Sequence, residues 1–143
     1  MKSPRTKLVG ELMGLDIGQV RTGVARMNTI AKIPQALQES LNIVDDIDSL
    51  ITTYNPSAIV VGLPRGLDGQ ETEQTRITRE TIDRIRGQVR DRMPVFIIDE
   101  AGTTKEAELR AQTNESVDSV AAGIILQTFV DELAHGKIED YEI

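Results

Sequence analysis

The chain has 143 residues, 39% hydrophobic and 27% charged, with a net charge of −7 and no cysteine. That length suits one domain, residues 1–143, with one core, and the missing cysteines exclude disulfides and thiolate metal sites. No apolar run approaches the roughly 18 residues that span a bilayer, and the basic start "MKSPRTKLVGEL" lacks the apolar stretch of a secretory signal; the expectation is a cytoplasmic protein with no membrane partner.

The acidity is uneven. Residues 1–60 balance at six bases and six acids, residues 61–92 carry seven arginines against six acids, and residues 93–143 carry eleven acids against three bases. An overall negative charge argues against non-specific polyanion binding, but leaves room for a local basic face or a metal-bridged phosphate contact. Trp is absent and aromatics total four. The core must therefore come from Ile, Val, Leu and Ala, and a stacking platform for single-stranded nucleic acid is not expected.

In chain order, residues 1–7 read as a polar tail. "LVGELMGLD" (8–16) predicts a strand ending at Asp16, with Gly18 in the following turn and "TGVARM" (22–27) as a second strand. "IPQALQE" (33–39) predicts a short third strand, placed at an edge by its proline. In "NIVDDIDSLITTY" (42–54) the spacing of Ile43, Val44, Ile47, Leu50 and Ile51 is helical, and Pro56 ends the segment.

"AIVVGLP" (58–64) is a continuous apolar run, as a strand covered on both faces requires, and the turn "LDGQ" (67–70) follows. "ETEQTRITRETIDRIRGQVRDR" (71–92) sets Ile77, Ile82, Ile85 and Val89 along one stripe of an amphipathic helix. Its arginines alternate with acids and read as an ion-paired exposed face. "PVFIIDE" (94–100) predicts another buried strand ending in carboxylates. "TTKEAELRA" (103–111) has capping-box spacing, Thr103 to Glu106. "SVDSVAAGIILQTFVDEL" (116–133) predicts a largely apolar last helix, with about 135–143 as a second polar tail.

The order β-β-β-α-β-α-β-α-α predicts an α/β fold: a mixed sheet of five strands, the first three antiparallel and the rest in βα units, flanked by helices. Strands joined by helical crossovers run parallel, and ligands of open α/β sheets collect at their C-terminal edge. Three acids share that logic. Asp16 ends the first strand, Glu100 ends the strand before it, and Asp118 lies in the first turn of the last helix. Each alone has a plainer reading, as a turn former, a strand meeting solvent or a helix-dipole acid. Together they would repel one another unless a divalent cation sat between them. Oxygen ligands select Mg²⁺ or Mn²⁺ over zinc, and a two-metal site of that kind suits phosphodiester hydrolysis.

Four blocks, "LDIGQVRTGVA" (15–25), "IVVGLPRGLDG" (59–69), "IIDEAGTTKEAE" (97–108) and "VDSVAAGIILQTF" (117–129), resemble those of the YqgF/RuvX family. Its members are named as pre-16S rRNA nucleases and as Holliday junction resolvase-like proteins. The resemblance runs from about Leu8 to Leu133. It implies an RNase H-like fold, divalent-metal nuclease chemistry and maturation of the 5′ end of 16S rRNA, with Asp16, Glu100 and Asp118 as catalytic metal ligands. The family usually has Arg where Ala101 stands, a longer basic loop where "AQTNE" (111–115) stands, and Asn where Gly66 stands. Each departure removes a contact to phosphate or substrate.

Arg21, Arg65 and Lys105 lie in or beside loops at the expected active edge and read as contacts to the nucleic-acid backbone, or else as solvated surface charges. Three functions stay open. The chain is a metal-dependent endonuclease acting on precursor rRNA, a nuclease acting on structured DNA such as a four-way junction, or a nucleic-acid-binding module that has kept the fold and little cleavage. A monomer or a weak homodimer is expected.

Overall fold

The computed structural model describes residues 6–99, 117–138 and 141–142. In chain order its elements are β1 (Thr6–Lys7), β2 (Glu11–Ile17), β3 (Thr22–Asn28), β4 (Pro34–Ala36), α1 (Ile43–Tyr54), β5 (Ala58–Leu63), α2 (Glu73–Val89), β6 (Val95–Asp99), α3 (Val117–Ala134) and β7 (Tyr141–Glu142). Among the described residues, five strands form one sheet in the order β4-β3-β2-β5-β6. The β4–β3 and β3–β2 pairs are antiparallel, and β2–β5 and β5–β6 are parallel. The ends of β2, β5 and β6 therefore share one rim, as the crossover order predicts.

Alternation along the strands divides the core in two. Leu12, Ala25, Met27, Val60 and Ile98 face α3 and pack on Ile125, Leu126 and Phe129. Met13, Leu15, Val24, Ile59 and Val61 face the other way, against α1 and α2. Each fully buried aliphatic side chain contributes about 1.5–3 kcal/mol, and the absence of Trp is made good by number. Helix α3 is buried on more than the face it lays on the sheet: Val120, Ala121 and Ile124 form a separate buried cluster. Gly14 is what lets it close on β2: a Cβ there would stand 2.6 Å from the Ala122 carbonyl oxygen.

Local chemistry sets the element ends. Asn42 caps α1 by accepting from the Asp45 N–H at 3.3 Å, and Asn55 closes it in a left-handed conformation with φ 46°. Thr72 and Thr75 form a reciprocal capping box at the start of α2.

Several sequence expectations are corrected. The first strand begins at Glu11 rather than residue 8, because Gly10 takes φ 118° and exchanges hydrogen bonds with Thr29. The third strand shrinks to Pro34–Ala36. The second helix spans Glu73–Val89 and ends where Arg90 adopts φ 53°. The tails are not merely polar: β1 pairs in parallel with β7, and Tyr141 meets Phe96 edge-on at 4.8 Å. The helix expected over 103–111 lies outside the described residues.

Candidate active site

Asp16 sits next to last on β2, on the face it shares with Leu12 and Gly14 and turned toward α3. It is half-buried, and its register partner on β3 is Gly23. Gly23 has no side chain because α3 starts there. A Cβ on it would lie 1.9 Å from the Asp118 carbonyl oxygen and 2.6 Å from the Ser119 nitrogen. Asp16 and the first turn of α3 thus flank one glycine at the sheet rim.

Ser119 holds that turn in place. Its hydroxyl accepts from the Val24 N–H at 3.2 Å and donates to the Leu37 carbonyl at 2.8 Å, joining α3 to β3 and to the segment after β4. The next residues are held as firmly: Thr22 and Ser40 exchange backbone hydrogen bonds at 2.8 and 2.9 Å. Glu39, between those anchors, lies 3.7 Å from the Arg21 guanidinium. Burial, then the Glu39 hydrogen bond and charge, push the Asp118 carboxyl above the ordinary carboxylate range, and Arg21 partly offsets them. A carboxyl held above its ordinary range marks a place where positive charge is favoured.

Around the rim, Thr75 donates to the Pro64 carbonyl at 2.6 Å and Gln74 donates to the Ile17 carbonyl at 2.9 Å, tying the start of α2 to the ends of β5 and β2. Arg65, in the loop after β5, reaches Asp99 at 3.2 Å and Glu71 at 3.5 Å. The two described arginines expected to grip phosphate, Arg21 and Arg65, are thus ion-paired. Such solvent-facing pairs are worth at most about 1 kcal/mol and exchange readily for a phosphate. The expected ion-paired face of the second helix holds for Arg76, which pairs with Glu73 and Glu80, and Arg79, which pairs with Glu71, whereas Arg86 and Arg90 donate to the Val95 and Gly87 carbonyls.

Of the residues expected at the site, Asp16 pairs in register with Gly23 and the Asp118 backbone closes on the same glycine, Arg21 pairs with Glu39, and Arg65 stands with Asp99 at the end of β6. Glu100 and Lys105 lie outside the described residues. Among the described residues alone, no group of three His, Cys, Asp or Glu side chains is placed to hold a metal ion. Sequence reasoning missed Glu39 and Ser119. Glu39 reads as one more polar residue after an edge strand, and only the anchors on either side turn it toward Asp118.

The strand order, with α3 across one face of the mixed sheet, defines an RNase H-like fold. A family model described as "RuvX: Holliday junction resolvase" matches residues 10–132, and the chain belongs to that family. A protein of Sulfurihydrogenibium sp., named "Putative pre-16S rRNA nuclease", is 33% identical over 135 residues, covering 88% of this chain and 93% of its own length. One of Hydrogenovibrio crunogenus with the same name is 38% identical over 130 residues, covering 87% and 96%. Among solved structures, Thermus thermophilus RuvC in complex with Holliday junction substrate has a TM-score of 0.60 at 13% identity, over 89% of this chain and 96% of that one. That likeness is one of fold. No helix among the described residues is long and apolar enough to cross a membrane.

Proposed function

We propose that this protein is a divalent-metal-dependent endonuclease that processes the 5′ end of precursor 16S rRNA in the cytoplasm, acting as a monomer or weak homodimer. The observation that supports the reading is that Asp16 and the start of the helix carrying Asp118 lie on either side of Gly23, at the rim where three parallel strands end. The names of the relatives supply the substrate class.

Asp16, Asp118 and Glu100 would hold Mg²⁺ or Mn²⁺, in a one- or two-metal arrangement. Glu100 follows two positions after Ile98, whose side chain faces α3. The bound ion would supply Lewis acidity and a water of lowered pKa. The protein's share is positional. The Ser119 hydrogen bonds fix Asp118, the β2–β3 register fixes Asp16, and Arg21, Arg65 and Lys105 take backbone phosphates on either side of the scissile bond. No histidine is required as a base.

The test is cleavage of a precursor 16S transcript, with a four-way DNA junction alongside, by wild type, Asp16→Asn and Asp118→Asn in Mg²⁺ or Mn²⁺. Accurate 5′ cleavage lost in both variants is the expected result. Cleavage unchanged in either variant would refute the site, and symmetric cleavage of the junction alone would move the substrate to DNA, as the family description suggests. Specific binding of the transcript with no cleavage, equal in all three proteins, would favour the binding module.

A further inference from the structure

We infer that the cleft between α1 and the segment after β4 is a nucleobase subsite, shaped for an unstacked guanine of the RNA strand held at the rim. The inference rests on the nuclease reading above and adds a base-binding element to it. Asp46, Ser49, Leu50 and Thr53 recur at helical spacing along one flank of α1. The chain from Leu37 to Ser40 runs opposite, and the two walls enclose about 350 Å³. This second wall is firmly held. Leu37 donates to the Val24 carbonyl at 2.8 Å and accepts from Ser119 at 2.8 Å, and Ser40 exchanges backbone hydrogen bonds with Thr22. The Ser40 hydroxyl donates to Asp46 at 2.6 Å and joins the two walls. The same bonds tie the cleft to the candidate site. Ser40 bridges to Thr22, the neighbour of Gly23, so the wall stands one strand spacing, about 5 Å, from β3. Arg21, the arginine offered to a backbone phosphate, pairs with Glu39 on that wall.

The lining favours a base over a phosphate. Among the described residues it holds no cation, and it carries two carboxylates, Glu39 and Asp46. These repel a phosphate but accept from the N–H groups of a base edge. Leu37 and Leu50 supply apolar surface for the ring faces. One oxygen of Asp46 is taken by Ser40, and the other has no partner among the described residues. The Ser49 and Thr53 hydroxyls are likewise open, whereas Thr52, on another flank of the same helix, donates to the Asp48 carbonyl at 3.0 Å. Recognition of RNA sequence works chiefly on unstacked bases bonded along their Watson–Crick edge. Guanine offers a carboxylate two neighbouring donors there, its ring N–H and its amino group. Uracil offers one donor between two acceptors, and adenine and cytosine set an amino group beside an acceptor that a carboxylate repels.

The experiment is a titration of the intact, ¹⁵N-labelled protein in metal-free buffer with each of the four nucleoside 5′-monophosphates, followed in amide correlation spectra. The signals of Ser40, Ser49, Leu50 and Thr53 should move, with the guanine nucleotide bound about tenfold more tightly than the uracil one, the discrimination that a bidentate base contact supplies. Asp46→Asn, which keeps an acceptor for Ser40 but loses the charge, should abolish that preference. Ser49→Leu, at an exposed helical position, should fill the cleft and weaken the guanine nucleotide, and it serves if the Asp46 variant fails to fold. Silent cleft signals, shifts confined to Arg21 and Thr22, equal affinity for all four nucleotides, or an Asp46→Asn protein that keeps the preference would each overturn the inference. Cleavage lost in Asp16→Asn while the cleft stays silent fells the subsite alone. Guanine-selective binding by a protein whose Asp16→Asn variant cleaves like wild type fells the nuclease reading and supports the cleft as a nucleotide site.

Discussion

Gly23→Ala tests whether the site is assembled by backbone contact. The new Cβ would stand 1.9 Å from the Asp118 oxygen, 2.0 Å from its carbonyl carbon and 2.6 Å from the Ser119 nitrogen. Ordinary contact needs roughly 3.5 Å, so the start of α3 must withdraw by about 1.5 Å. All three atoms are backbone, and no side chain can rotate away to relieve them. Overpacking of this kind costs about 1–3 kcal/mol. Withdrawal also stretches the Ser119 bonds to Val24 and Leu37, now 3.2 and 2.8 Å, at about 1 kcal/mol each. The total is about 3–5 kcal/mol. Urea unfolding followed by circular dichroism measures it, and a Mn²⁺ titration of the folded fraction should show weakened binding, because Asp118 moves away from Asp16. A loss below about 1 kcal/mol with unchanged Mn²⁺ affinity would show that α3 is not seated against Gly23.

Gly87, inside α2 with open space around its Cα, is the complementary case: Gly87→Ala should raise stability by about 0.5–1 kcal/mol in the same assay. Saturating Mn²⁺ at about a hundred times its dissociation constant should stabilise the wild type by about 2.7 kcal/mol, and Asp16→Asn should lose most of that gain, measured as a shift in melting temperature. In metal-free buffer the raised Asp118 pKa makes the folded state hold its proton more tightly than the unfolded chain. This group's contribution is therefore full below the ordinary carboxylate pKa and is lost as pH rises through the raised one. Glu39→Gln removes part of that shift, so its unfolding midpoint should fall less than that of wild type over this rise; parallel curves would refute the coupling. Phe129, fully buried and 4.9 Å from Phe96, should cost about 3–5 kcal/mol when cut to Ala, with no change in Mn²⁺ affinity once refolded at low temperature.

The sheet was legible because its signals are local. The continuous apolar run of β5 and the stripe of α2 each follow from side-chain period, and the proline of β4 named its edge position. The rim acids Asp16 and Asp118 were legible because strand ends and helix starts carry their own marks. What the residues could not reveal was contact across the chain. Gly23 reads as a flexible residue opening a strand, while its use is to let two backbones touch. Arg21 and Arg65 read as open cations because their acidic partners Glu39 and Asp99 are 18 and 34 positions away along the chain. Glu39 had no period or motif to mark it.

The short parallel pairing of β1 with β7 lies beyond the start of β2 and the end of α3, at the pole of the molecule opposite Asp16. A surface linkage or bulky label attached through that pole would sit far from Asp16 and Gly23.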